Sequence, residues 1–556
     1  MLLQLEETVE DILGIDFGTT NCVVSFFHEG EPQIIQIDGA NITPSAVLFE
    51  EDKEDKGKLI TTFGTYAKEA SVIYPENTVL SVKRNLGNGK KIPISLEEIE
   101  VTLSPEQVAS EILSYLKKMA EEYVLEELGL LINFSGAVIT VPANSTDKQK
   151  KMTKKAAILA GFDEEKINIR LEPVAAAISY AVNVTSPKKV LVYDFGGGTF
   201  DACILSIKYE NKKPEISIEA AFGDNDLGGN DIDLLIMDII YDHFKSAAPN
   251  IDLFDLEKND GVSPSNKKIA IAKLMNISRQ TKERLSESKS TKITIAPFIQ
   301  ILDEENGTSE IININFDLSR EKFISHKRKY ALNDEEAHFI RYKDKNLLDM
   351  LHQTIKCIES CLEMAKLKCE EIDEVILVGG SSSIWLVSDI IKSKFNKMPY
   401  RSISPALAIS FGASIYAGII KNSAQKNITV KEKTVHPLGI EIAGRLFAQV
   451  VPAGIEIPKE GLMIEGAEEF YTSFDNVTSM VISVYEDKKP NHNKSVIREG
   501  MKRLGGTTLW GVPKAPKGAQ KVKVTFAVNQ DNILKVYAAS ESQEGIKAEL
   551  SVDELY

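Results

Sequence analysis

Two stretches decide the fold: Gly14-Ile15-Asp16-Phe17-Gly18-Thr19-Thr20-Asn21 near the start, and Asp194-Phe195-Gly196-Gly197-Gly198-Thr199-Phe200-Asp201 further on. Each follows or sits in an apolar run, and each ends in a Gly-Thr turn with an Asp beside it. Repetition at this distance predicts two similar half-domains, each offering a phosphate-binding loop to one cleft. A nucleotide is therefore the first candidate ligand. Glycine lets the backbone turn tightly and approach a ligand, and successive N–H groups then form an anion-binding nest. Thr19, Thr20 and Thr199 add hydroxyl donors. Asp16, Asp194 and Asp201 repel phosphate unless a cation bridges them, and Mg²⁺ held by carboxylates, water and phosphates is the usual bridge. A single Gly-rich turn is commonly a plain hairpin turn; two matched turns, both carrying Asp and Thr, are a specific signal.

Composition sets the frame. At 556 residues the chain should hold several domain-sized units. Hydrophobic content of 43% and charged content of 26% are those of an ordinary globular protein. A formal charge of −16 opposes nonspecific nucleic-acid binding. The basic run His326-Lys-Arg-Lys329 reads as a solvated face. Cys22, Cys203, Cys357, Cys361 and Cys369 form no Cys-x-x-Cys pair, and reduced core thiols in a reducing compartment are expected. The N-terminus lacks the basic and apolar regions of a secretory signal, and no stretch approaches a membrane span. These features place the chain in the cytoplasm, without membrane or nucleic-acid partners.

Up to Lys421 the chain reads as α/β, with strand-like runs (Val138 to Val141, Val190 to Tyr193, Val375 to Val378) alternating with amphipathic helices. One helix is marked by Ser104, Pro105 and Gln107, a capping box with Pro in the first turn. Val108, Ile112, Leu116, Met119 and Tyr123 then recur at helical spacing as a core face. A third Gly-rich turn, Val378-Gly379-Gly380-Ser381-Ser-Ser383, follows a strand and could close over a nucleoside. Residues 422–434 read as a linker. From Val435 the period becomes two: Val522, Val524, Phe526 and Val528 face one way, and Met480, Ile482 and Val484 repeat the alternation. Short strands between turns indicate a β-sandwich. Only four residues follow Val552, so no helical domain is expected after it.

The two loops, with Glu172-Pro173-Val-Ala-Ala-Ala-Ile, Leu227-Gly228-Gly229-Asn-Asp231 and Val378-Gly-Gly-Ser, resemble the heat shock protein 70 (DnaK-type) chaperones, from about Ile12 to Val552. The resemblance implies an α/β actin-like ATPase domain of two similar lobes (residues 1–421), a linker (422–434) and an all-β sandwich (435–556) that grips extended peptides. It implies ATP or ADP with Mg²⁺ as cofactors, and K⁺ as a further ion. Asp16 and Asp194 resemble the carboxylates that organise Mg²⁺ through water. Gly18, Thr19, Thr20 and Asn21 match the first phosphate loop, and Gly196, Gly197, Gly198 and Thr199 the second. Gly228, Gly229, Lys282, Ser286, Gly379, Gly380 and Ser381 complete the implied nucleotide contacts. Lys83 resembles the lysine that places the attacking water; Glu172, Asp201 and Thr199 stand near that water and the metal. Pro142 resembles the proline that couples nucleotide state to the rest of the protein. Ile440, Ala443, Phe470, Met480, Ile482 and Ile533 match positions lining the family's peptide groove, although an inward apolar face of any sandwich could hold the same six.

Departures from the pattern are local. Arg279 replaces an acidic residue on the adenine side, Ser383 stands where an Arg would stack on the base, and Ala406 replaces an Asp. Asn168 stands where the family carries an Arg that meets J-domain partners. The linker, Thr429-Val-Lys-Glu432-Lys, is charged where the family's is leucine-rich, so docking it costs desolvation energy. Residues 326–345 are longer and more charged than usual, which predicts a surface insertion. The expected activity is slow ATP hydrolysis controlling peptide binding. The expected partners are unfolded segments, a J-domain co-chaperone weakened by Asn168 and the linker, and a nucleotide exchange factor, acting on a monomer. The alternative is a weakly hydrolysing nucleotide-binding interaction protein with a dedicated partner. A small-molecule kinase on the same fold would leave the sandwich without a role.

Overall fold

The computed structural model describes residues 9–551 apart from 56, 97–98, 211–212, 304–307, 333–339, 401–403, 422–427, 432, 459–460, 466–469, 489–492, 530–533 and 542–544. Two sheets share one plan. In the first, Glu31–Ile35, Asn21–His28 and Val9–Phe17 run antiparallel, and Ile132–Val141 and Ile167–Leu171 then join in parallel. In the second, Lys213–Asp224, Phe200–Glu210 and Lys188–Phe195 run antiparallel, and Glu374–Val378 joins in parallel. In each sheet the hairpin between the first parallel-paired strand and its antiparallel neighbour carries a glycine turn. The inner strands bury both faces, which explains their continuous apolar runs.

Parallel neighbours need crossover helices. The helix Pro105–Leu128 is one, and Ser104 caps it: its Oγ accepts from Gln107 N, and Gln107 Oε1 accepts from Ser104 N at 2.9 Å. Val108, Ile112 and Leu116 are buried, as their spacing predicts. Helix Glu172–Ala181 is buried along its whole length and touches strands of both sheets. Helix Ala408–Ile420 crosses it closely because Gly412 has no side chain; a Cβ there would overlap the carbonyl of Ala175.

The period-two region folds as two packed sheets. One has Leu446–Val451, Leu438–Ile442, Ser479–Asp487 and Met501–Trp510 in order; the other has Leu462–Glu465, Lys521–Val528, Leu534–Ser540 and Lys547–Ser551, with Phe470–Tyr471 added to Lys521–Val528. Val522, Val524, Phe526 and Val528 all point into the core between them. Among the described residues no helix is long and apolar enough to cross a membrane.

Two readings need correction. The run His326 to Lys329 is not simply solvated. Arg328 is fully buried, and His326 Nε2 lies 2.7 Å from Oδ1 of the fully buried Asp238. Asp238 Oδ2 also accepts from the N–H groups of Lys329 and Tyr330. A buried carboxylate recruits donors, and this run supplies them. The segment called a linker holds a strand, Thr429–Lys431, paired in parallel with Glu215 to Ser217 at the edge of the second sheet. Ile428 is buried and Val430 packs on the core, while Lys431 Nζ lies 3.3 Å from Glu215 and 3.4 Å from Glu456, and Lys433 Nζ lies 3.5 Å from Glu219. Carboxylates meet the charge that was expected to oppose docking.

Candidate nucleotide site

The two glycine turns face each other across a cavity of about 400 Å³. Its walls include Asp16, Gly18 to Asn21, Glu172, Asp194, Gly196 to Thr199, Lys282, Ser286 and Gly379 to Ser381. Most residues expected from sequence therefore meet in one place. Gly228 and Gly229 lie behind the second turn: Gly229 N donates to Gly196 O at 3.0 Å and Asn230 N to Gly197 O at 2.8 Å. Lys83 opens instead on an adjoining hollow of about 440 Å³, which meets the first at Thr19, Pro142, Thr199 and Asn230. Asp201 lines neither.

The turns are built for close approach. A Cβ on Gly197 would stand 2.0 Å from Thr20 Oγ1, so the first turn occupies the space a side chain on the second would need. Ser45 Oγ donates to Gly18 O at 2.8 Å and fixes the first turn. Arg84 donates to Gly198 O at 2.7 Å and fixes the second from the opposite lobe. In the third turn, Gly379 has φ +78°, a left-handed conformation that favours glycine, and Ser381 Oγ donates to Gly196 O at 2.8 Å. Lys282 Nζ lies 2.8 Å from Asp233 Oδ1 and donates to Gly229 O at 2.9 Å. Ser286 Oγ turns back to Lys282 O.

Beneath the turns is a concentration of buried acid. Asp16 ends one central strand and Asp194 the other, with Asp201 paired opposite Asp194 across the hairpin. Burial and the Glu172 carboxylate push Asp16 up to about 7, and the same two causes push Asp201 up to about 7. Asp194 is raised by burial, then by Glu172, Asp201 and Asp16. Lys83 sits among them on a short 3₁₀ turn, donating to Glu172 Oε1 at 2.7 Å and to Thr140 O at 3.4 Å. Four carboxylates against one ammonium leave negative charge uncompensated. Asp194 Oδ2, Asp201 Oδ2 and Thr20 Oγ1 are buried without a hydrogen-bond partner. These orphaned oxygens fit a hydrated cation, and the glycine turns fit the phosphates it would accompany.

Two residues at the site escaped sequence reading. Asn144 Nδ2 donates to Asp201 Oδ1 at 2.6 Å, and Arg84 spans from Gly198 O to within 3.9 Å of Asp231. Their only signals were adjacency to Pro142 and Lys83. Asn144 also starts the segment that meets the sandwich: Asp147 Oδ2 accepts from Leu534 N at 2.8 Å, beside a small hollow lined by Lys150, His436, Glu486, Lys488 and Lys502.

The residues expected to line a peptide groove lie in the sandwich. Ile440, Ile482 and Phe470 are buried in the sandwich core, and Met480 packs against it. Ala443 is exposed in the turn before Gly444. Ile533 lies outside the described residues.

A family model described as Hsp70 protein matches residues 12–555. Similar proteins include the chaperone protein DnaK of Thermosipho melanesiensis, 34% identical over 535 residues, which span 95% of this chain and 78% of the relative. That of Thermotoga neapolitana is 32% identical over 540 residues, 96% of this chain and 79% of the relative. With that match running over nearly its whole length, the chain belongs to the Hsp70 family.

Proposed function

We infer that this protein is an ATP-dependent molecular chaperone, in which ATP hydrolysis in residues 1–421 governs the hold of the sandwich, residues 435–556, on extended polypeptide segments. The observation that carries this reading is the pairing of the two glycine turns over Asp16, Asp194, Asp201 and Glu172, with Lys83 Nζ donating to Glu172.

Phosphoryl transfer needs positioning and charge cancellation more than covalent help. Backbone N–H groups of Gly18 to Asn21 and Gly196 to Thr199 hold the phosphates, with the Thr19, Thr20 and Thr199 hydroxyls as further donors. Gly379 to Ser381, Lys282 and Ser286 hold the nucleoside. Mg²⁺, bridged through water to Asp16 and Asp194, would supply the charge that cancels the phosphates; K⁺ is a candidate second ion. Lys83 Nζ, oriented by Glu172, faces the γ-phosphate side and holds the attacking water. Glu172 and Asp201 accept that water's protons, and burial raises the proton affinity of Asp201. Excluding bulk water strengthens each of these interactions.

Coupling to the sandwich runs through Asn144 to Asp147. Asn144 holds Asp201, and Asp147 holds a sandwich backbone N–H. Pro142 lies at the junction of the two hollows, where it would sense the phosphates. The docked strand Thr429–Lys431 is a second connection. Ile440, Ala443, Phe470, Met480, Ile482 and Ile533 are the positions this reading assigns to peptide contact. A J-domain protein, a nucleotide exchange factor and unfolded chains in the cytoplasm are the partners this reading calls for.

The test is single-turnover ATP hydrolysis with Lys83→Ala and Thr199→Ala alongside peptide off-rates in ATP and ADP. A loss of about 10²-fold or more is expected for Lys83→Ala. Off-rates that ignore the nucleotide would overturn the coupling, and unmeasurable wild-type turnover would leave only a nucleotide-binding interaction protein.

A further inference from the structure

Where the sandwich meets the α/β domain, a hollow of about 90 Å³ gathers more positive charge than the acids around it balance. The α/β domain contributes Asp147 and Lys150; the other wall carries His436, Glu486, Lys488 and Lys502. Strand register explains why that second group shares a face. Leu438 pairs with Glu486 and Glu486 with Lys502, so the three stand in one row across the sheet. His436 and Lys488 lie two residues away along the same two segments and return to that face. Asp487, next to Glu486, turns to the other face and pairs with Arg498.

Asp147 is already engaged: Oδ1 lies 3.5 Å from Lys150 Nζ, and Oδ2 accepts from Leu534 N at 2.8 Å. Glu486 is then the one acid left to two ammoniums. Among the described residues neither Lys488 nor Lys502 has a carboxylate within ion-pairing reach. Burial, and then the Lys488 charge, push the Lys502 ammonium down. Against the effect of burial, the surrounding positive groups hold the Glu486 carboxyl below its ordinary value. His436 is 5% exposed, and its Nδ1 is buried without a hydrogen-bond partner. A buried polar atom left unpaired is costly, and so are like charges brought together under partial burial. One anion remedies both. Ammonium groups and a ring N–H set around one space suit an anion with several acceptor oxygens. The volume exceeds that of a single water and admits a tetrahedral oxyanion.

We propose that this hollow binds a small oxyanion of the phosphate or sulfate class, held by Lys488, Lys502 and His436 Nδ1–H, and that the bound anion fastens the sandwich to the α/β domain. The site stands apart from the nucleotide cavity and does not depend on it. Without the anion, Lys488 and Lys502 repel Lys150 across the junction; with it, that repulsion is cancelled where the two domains touch. Asn144 lines the same hollow and donates to Asp201, so the closed junction and the acid beneath the glycine turn share one residue.

The test is calorimetric titration of the full chain with sodium sulfate and with sodium phosphate, at ionic strength held constant by sodium chloride and with excess Mg·ADP on the glycine turns. One site is expected in the wild type. It should weaken about tenfold in Lys488→Gln and in Lys502→Gln, and about threefold or more in His436→Ala. Trypsin cleavage after Lys431 or Lys433 reads the junction directly. With sulfate at about ten times its Kd, cleavage should slow about tenfold in the wild type, because binding multiplies the weight of the docked state by that ratio. The two lysine variants should lose this protection. No site for either anion overturns the proposal, as does a site that keeps its full strength in any of the three variants. Chloride that protects as well as sulfate reduces the effect to charge screening and overturns it too. A site seen only without ADP belongs to the glycine turns and also overturns it. Should ADP itself fail to bind, the nucleotide reading falls, while the three variants still decide this site.

Discussion

The two glycine turns share a place in their sheets but not a job in the closed cleft. Gly18 to Asn21 carries one glycine and is held from its own lobe by Ser45. Gly196 to Thr199 carries three because other groups are laid against it: Thr20 at Gly197, Arg84 at Gly198, and the Gly228-Gly229 turn behind both. The first turn is an approaching surface, and the second is the seat. Symmetry of topology therefore gives an asymmetric site, in which crowding rather than ligand contact accounts for the extra glycines.

That comparison breaks most sharply at a single methyl group. Gly197→Ala should weaken ADP affinity by up to about 100-fold, because overpacking against Thr20 costs up to about 3 kcal/mol. Gly196→Ala, whose Cβ would meet only Thr199 O at 3.6 Å, should stay within about threefold of wild type. Equal damage at both positions would show that ligand contact, not crowding, sets the glycine count. Asn144→Ala tests the next layer. Losing a hydrogen bond to a charged group should slow single-turnover hydrolysis about tenfold, and unchanged turnover would remove Asn144 from the site.

The acids under the second turn sharpen the contrast through pH. Asp201 binds its proton more tightly folded, at about 7 against an ordinary 3.8. Its contribution to stability is thus complete below the ordinary value and is lost as pH rises through 7. Asp201→Asn should stabilise the nucleotide-free chain at pH 8 by about 1 kcal/mol, the worth of less than one pKa unit, with little effect at pH 4. Denaturant unfolding at the two pH values checks this, and a destabilised variant at pH 8 would mean that the carboxylate is compensated. The smallest effect belongs to the docked strand. Lys431→Glu reverses two partly exposed ion pairs, so the ATP-to-ADP ratio of peptide off-rates should fall by about two- to threefold.

What could be read without the structure was local. The capping box at Ser104 and the two turns are written in contiguous residues, and their geometry follows from short-range hydrogen bonds. The sandwich alternation around Val522 to Val528 is equally local. What could not be read depends on partners far away in the chain. Arg328 is buried because Asp238 and the helix around it gather the run His326 to Tyr330. Arg84 and Asn144 gain their places from Gly198 and Asp201. The strand at Thr429–Lys431 exists because the edge at Glu215 to Ser217 was open to receive it. The expected peptide positions fall between these cases: the period-two pattern places Ile440, Met480 and Ile482 on the inward face, but a core and a groove wall have the same periodicity.

The strand Thr429–Lys431 also has a protective consequence. Lys213–Asp224 would otherwise end the second sheet with a row of bare amide and carbonyl groups, the kind of rim onto which stray polypeptides assemble. While the connecting segment lies along it, the stretch Glu215 to Ser217 of that rim is capped by the protein itself. Any release of the segment would uncover that stretch, making time spent undocked a window of vulnerability for a chaperone that meets unfolded chains.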